Sequence, residues 1–270
     1  MIQTAEEYKL NFGRDLHDDI KHNTSHHFQD LLLSRLRLHA AYDAYVLHEA
    51  IAGLGTDEHA LIEVLATRNN FEIKALKEEY HKVKGKELEH AIIGDTSGHF
   101  KRILVSLVQA ARHEDDAVDM AAAATDAKRI YEAGEAHWGT DESVFNEILA
   151  TRSRDQLKAI NQEYLKLKGQ DLVLAVAAET SHHLKEAFTA IVLASINKEE
   201  YFADKLLKSM KGLGTDDRTL VRIIASRSEI DLVEIKEFFA TKNHKSLARY
   251  IEEDCSGDYK KLLVEMVGEP

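Results

Sequence analysis

Apolar side chains recur along this chain at helical spacing. After Thr56 they come at Leu61, Ile62, Val64 and Leu65, then at Leu76, Tyr80 and Val83, then at Leu88, Ala91 and Ile92, and last at Phe100, Ile103, Leu104 and Leu107. Steps of three and four place each set on one face of a helix. Thr56-Asp57-Glu58 stands ahead of the first set and offers a cap followed by first-turn acids, so the loop threonine starts a helix. With the segment before Gly53 included, the pattern predicts about five helices in this stretch.

The breakers fall where such helices need to end. The chain has one Pro and 13 Gly in 270 residues. Gly53, Gly55, Gly134, Gly139, Gly212 and Gly214 lie in three loops, and Gly94, Gly98 and Gly257 lie beside acids further on. The remainder is almost free of helix breakers, which predicts an all-α protein.

The pattern also repeats. Gly53-Leu54-Gly55-Thr56-Asp57 recurs as Gly212-Leu213-Gly214-Thr215-Asp216, with Trp138-Gly139-Thr140-Asp141 between them. A carboxylate follows 40 residues after each second glycine: Gly55 to Asp95, Gly139 to Glu179, Gly214 to Asp254. An arginine follows 13 residues after it, as Arg68, Arg152 and Arg227, and the next turn comes at Gly85, Gly169 and His244. Each turn has an aromatic five residues ahead, Tyr80, Tyr164 and Phe239, and a leucine three residues behind, Leu88, Leu172 and Leu247. The first residues fit the same template entered partway, with Tyr8, Gly13 and Leu16 in those places and Asn23-Thr24-Ser25 matching Asp95-Thr96-Ser97. Three whole repeats and the rear part of a first repeat are therefore expected, over residues 1–38, 39–112, 113–197 and 198–270, with a linker in 113–124.

Composition narrows the function. The formal charge of −12 repels nucleic acid and the anionic leaflet of a membrane, so an anionic partner requires a local reversal of sign. The longest apolar stretches, such as residues 103–111, are too short to span a bilayer, and residues 1–7 lack the features of a signal peptide, so a cytoplasmic location is expected. With Cys255 alone, no intramolecular disulfide forms. No Gly-Lys-Ser/Thr follows any glycine loop, which argues against a nucleotide cradle, and no nucleophile, base and acid cluster in sequence, so no enzyme is expected. One acid could be a helix cap; three in identical register favour a hard-cation site built from a backbone loop and a distant carboxylate.

Taken together, the Gly-x-Gly-Thr-Asp loops, the acid 40 residues on, the Thr-Arg or Ser-Arg helix ends and the repeat length resemble the annexin family across essentially the whole chain. The resemblance implies an all-helical disc of five-helix repeats whose convex face carries calcium loops and docks on anionic phospholipid. It further implies three ligand sets: carbonyls of Ile51, Gly53 and Gly55 with Asp95; Gly134, His137 and Gly139 with Glu179; Met210, Gly212 and Gly214 with Asp254. Three carbonyls and a bidentate acid leave open positions for water or a lipid phosphate, so ion and lipid bind cooperatively. The first repeat departs from the family pattern, entering near the end of its second helix and carrying Asn23 at the acid position. It is expected to bind no calcium in this way and to pack poorly on the fourth repeat.

Other residues have competing readings. Trp138 either meets lipid headgroups or packs back on its own repeat. The 15 histidines, including His26-His27 and His182-His183, lack transition-metal spacing and are expected to be mostly solvated. Arg68, Arg152 and Arg227 are expected to hold structural partners, and Cys255 to be a small buried residue. A protein-binding or cytoskeletal scaffold of the same fold is the alternative to the membrane-binding function.

Overall fold

The computed structural model describes residues 2–114, 117–136, 139–212 and 214–268, and among these there are 18 α-helices and no strand. The rear of the first repeat gives α1 (Ile2–Phe12), α2 (Leu16–Asn23) and α3 (His26–Ser34). The second repeat gives α4 (His39–Ile51), α5 (Glu58–Thr67), α6 (Asn70–Lys84), α7 (Leu88–Asp95) and α8 (Gly98–Val108). In the third lie α9 (Met120–Ala133), α10 (Glu142–Thr151), α11 (Arg154–Lys168), α12 (Leu172–Glu179) and α13 (His182–Ile196). The fourth holds α14 (Lys198–Met210), α15 (Asp217–Arg227), α16 (Leu232–Asn243), α17 (Leu247–Asp254) and α18 (Gly257–Val267). Each complete repeat thus has five helices.

The repeated turns are left-handed ends of the long third helices. Gly85 closes α6 at φ 65°, Gly169 closes α11 at φ 72°, and His244 closes α16 at φ 54°, each reversing the chain into the next short helix. Gly13 at φ 67° does the same after α1. α1 is therefore the counterpart of a third helix, so the chain joins the template later than the end of the second.

The helices form two compact units, one of residues 1–43 with 199–270 and one of residues 44–198, the boundary falling inside α4. In the second unit α11 packs on α9 and α13, while α5 packs on α13 and α8 on α10, tying the second repeat to the third. Every residue of α5 from Ala60 to Thr67 is buried, Glu63 included, which makes it a core helix rather than a striped surface one. Phe145 and Phe188 stack at 5.9 Å in the same core. Val83, assigned to the apolar stripe by its spacing, lies on the outer face of α6 at 68% exposure.

In the first unit α3 packs on α15 and α18, with Leu31 fully buried and the Arg35 guanidinium donating to Ser228 Oγ at 2.8 Å and to Glu229 at 2.6 Å. The rear of the first repeat thus seats firmly on the fourth, contrary to the expectation of poor packing. The deficit sits in α1 and α2 instead: α2 buries no residue, and Leu10 and Phe12 of α1 are 84% and 65% exposed. The segment expected to be a linker is helical from Met120, capped by Asp119, and Ala123 is fully buried.

Candidate calcium loops

Each glycine loop joins the first and second helices of its repeat and is drawn shut by one backbone hydrogen bond. The Asp57 N–H donates to Ala50 O at 2.7 Å, the Asp141 N–H to Ala133 O at 2.8 Å, and the Asp216 N–H to Ser209 O at 2.7 Å. The third-repeat loop encloses one more residue than the others, Ala133 to Asp141 against Ala50 to Asp57 and Ser209 to Asp216. The register counted from the second glycine does not show this extra residue. Its one signal was Gly134 standing five residues before Gly139, where Ile51 and Met210 stand four before theirs.

The helix after each loop is capped by the aspartate, not by the threonine as the sequence suggested. Asp57 accepts from the Ala60 N–H at 3.0 Å, Asp141 from the Ser143 N–H at 3.1 Å, and Asp216 from the Thr219 N–H at 3.1 Å. Burial pushes the Asp216 carboxyl up, but hydrogen bonds from Thr219 and the nearby Arg222 outweigh it and hold it below the usual carboxylate range.

The threonine is thereby released for the distant acid. Thr56 Oγ1 donates to Asp95 Oδ2 at 2.7 Å, Thr140 Oγ1 to Glu179 Oε2 at 3.0 Å, and Thr215 Oγ1 to Asp254 Oδ2 at 2.5 Å. All three acids are the last residues of short helices, α7, α12 and α17. A negative charge there opposes the helix dipole, so the acid is not a cap and is better satisfied by a cation. In the first repeat Asn23 ends α2 and turns its Nδ2 back on Asp19 O at 2.7 Å.

Among the candidate ligands, Ile51 and Met210 end α4 and α14, and Gly53, Gly55, Gly139, Gly212 and Gly214 have φ of 111°, 94°, 88°, 125° and 88°. Those angles are open to glycine and costly to other residues, and they turn the loop sharply. Leu54, at the tip between two of them, is fully exposed. His137 and Trp138 lie outside the described residues. In the third loop a Cβ added to Gly134 would come within 2.9 Å of Glu179 Cγ and 3.2 Å of Phe145 Cζ, so the bare glycine lets the acid lie directly on the loop. Asp95 and Glu179 both line one polar cavity of about 740 Å³ in the second unit, so the two candidate acids face a common opening.

Among the described residues no three His, Cys, Asp or Glu side chains are grouped to hold a metal ion. Each loop offers one carboxylate plus main-chain oxygens, a set of hard donors that suits calcium and not a soft metal. The three arginines hold structural partners: Arg152 Nε donates to Asp126 at 2.6 Å, Arg227 Nε to Asp231 at 2.7 Å, and Arg68 to Thr67 Oγ1 at 2.9 Å. Cys255 is buried, and burial pushes its thiol up to about 12.

Helical repeats with a glycine loop, a threonine and a remote acid define a class of repeat protein, and the comparisons identify it. The family model described as Annexin matches residues 1–34, 42–107, 125–191 and 201–266. Annexin A13 of Homo sapiens is 47% identical over 265 residues, covering 98% of this chain and 84% of that protein. The structure of chicken annexin V in complex with Zn2+ superposes with a TM-score of 0.94 at 42% identity, covering 99% of this chain and 84% of that one. Calcium-bound annexin (Sm)1 gives a TM-score of 0.85 at 30% identity, covering 98% and 81%. The chain belongs to the annexin family, whose members bind phospholipid membranes in a calcium-dependent manner. No helix among the described residues is long and apolar enough to cross a membrane.

Proposed function

We propose that this chain binds anionic phospholipid membranes peripherally when calcium fills its glycine loops, and that it does so as a binding protein rather than an enzyme. The ligand sets are Ile51, Gly53, Gly55 and Asp95; Gly134, His137, Gly139 and Glu179; and Met210, Gly212, Gly214 and Asp254. The observation that carries the reading is the threonine-to-acid hydrogen bond made in all three complete repeats, with the acid at a helix end whose dipole disfavours it. Repeat boundaries at 38, 112 and 197 follow from the same register, and the protein is read as cytoplasmic and recruited to membranes as calcium rises.

When bound, calcium supplies a divalent charge and open coordination positions that a lipid phosphate can fill. The carboxylates orient the loops and neutralise part of that charge. Each loop passes from −1 to about +1 on binding, so the sign reverses locally while the whole protein remains acidic. At physiological salt the relevant field extends only about 8 Å, so the loop surface decides attraction. Exposed Leu54 at a loop tip adds an apolar contact with the lipid interface.

Co-sedimentation with phosphatidylserine vesicles tests the reading. Pelleting is expected with calcium and not with chelator, weakening stepwise through Asp95→Asn, Glu179→Gln and Asp254→Asn. A folded protein that ignores calcium would overturn it and bring forward the protein-binding alternative.

A further inference from the structure

The third-repeat loop is one residue longer than its counterparts, yet it carries a tether they lack. Glu135, the residue after Gly134, points its carboxylate into α11. Tyr164 Oη donates to Glu135 Oε1 at 2.8 Å, Gln170 Nε2 donates to the same oxygen at 2.5 Å, and Lys168 Nζ lies 3.0 Å from Oε2. Lys168 is itself seated over the Tyr131 ring, 4.1 Å from its centroid. The carboxylate side chain is 24% exposed and the residue lies at the surface, so the tether holds by three partners converging on one carboxylate rather than by burial. The residues following Ile51 and Met210 in the other two loops are Ala52 and Lys211, neither of which can accept these bonds. At the position of Tyr164 the second repeat has Tyr80, whose buried hydroxyl has no partner among the described residues, and the fourth has Phe239.

We infer that Glu135 is a positioning residue that sets the calcium affinity of the third loop. This rests on the calcium reading above. Both Glu135 oxygens are engaged by α11 and its turn, so the residue acts by holding the loop stem rather than by touching the ion. The stem it holds is the one that places Gly134 beneath Glu179, in contact too close to admit a Cβ. A longer loop has more conformations to lose on binding, and a fixed stem offsets that loss before the ion arrives.

Trp138, the only tryptophan, lies in this loop by sequence and serves as a local reporter. Calcium titration of its fluorescence in the full chain, over phosphatidylserine vesicles, should show the midpoint rising about three- to tenfold in Glu135→Ala and in Tyr164→Phe. Lys168→Arg should restore most of the response lost in Lys168→Met. In a Glu179→Gln background, where pelleting relies on the other loops, Glu135→Ala should leave the calcium midpoint for pelleting unchanged, which a general structural role would not. Variants whose Trp138 midpoint is unchanged or lower than that of the parent chain would overturn the inference alone. A parent chain whose Trp138 signal and pelleting both ignore calcium would overturn the calcium reading and this inference with it.

Discussion

The second- and third-repeat loops belong to one unit and their acids line the same cavity, yet the loops are held differently. Both bring a threonine to a carboxylate at a helix end, at 2.7 Å for Thr56 and Asp95 and at 3.0 Å for Thr140 and Glu179. The second is short, unanchored by side chains in its stem, and exposes Leu54 at its tip. The third is longer, packs Gly134 against its acid and ties Glu135 to the helix below. The difference teaches that one chemical unit can be positioned either by brevity or by an added tether.

The largest expected effect separates the two loops outright. Glu179→Gln should abolish the calcium response of Trp138 fluorescence, while Asp95→Asn should leave that response in place and weaken vesicle pelleting. Loss of a carboxylate ligand costs at least the roughly tenfold in metal affinity that loss of an outer partner costs. If both variants affected Trp138 equally, the loops would be acting as one site.

Next come the glycines. Gly53→Ala introduces a Cβ at φ 111° into open space, so its cost of about 1–2 kcal/mol is backbone strain. Gly134→Ala has no positive φ, but its Cβ must displace Glu179 and Phe145, costing roughly 1–3 kcal/mol by overpacking. Thermal unfolding reads both. Only Gly134→Ala should also shift the Trp138 calcium titration, because only there does the methyl group meet the acid.

A smaller contrast comes from one residue type at one register. Tyr164→Phe removes a hydrogen bond to a carboxylate and should destabilise by about 1 kcal/mol, whereas Tyr80→Phe removes a buried hydroxyl with no hydrogen-bond partner among the described residues and should be neutral or slightly stabilising. Equal losses in denaturant unfolding would remove the distinction between the two stems.

The smallest effect is pH-dependent. Burial pushes the Glu135 carboxyl up, but Tyr164 and Lys168 outweigh it and hold it below its ordinary value of 4.5. A depressed carboxylate stabilises the fold above its unfolded pKa, and that contribution disappears as pH falls through the lower folded value. Glu135→Gln should therefore flatten the fall of melting temperature with acid below about pH 4.5, and Ala52→Gly, in the second loop, should leave the acid limb unchanged.

Much of the fold was legible because each repeat states its own punctuation. The left-handed ends at Gly85, Gly169 and His244 were visible as turns, since a long amphipathic helix must stop there for the next to begin. Legibility failed where one residue type has two uses. Thr56 reads equally well as a cap or as an acid's partner, and only the cap made by Asp57 frees it for Asp95. Val83 fits the period of the apolar stripe, but periodicity does not say how wide the buried face is. Glu135 looked like any surface acid, because its three partners lie 29 to 35 residues away.

By itself, the sequence determined the helical period, the number of repeats and the 40-residue spacing that brings each carboxylate to its loop, because these depend on local conformational preference and on distance along the chain. The tertiary structure decided which hydroxyl meets which acid, that Asp126 partners Arg152, and which loop stem is tied down. Those outcomes turn on the directions of side chains from separate helices, converging to within a few ångströms, and no local pattern encodes that convergence.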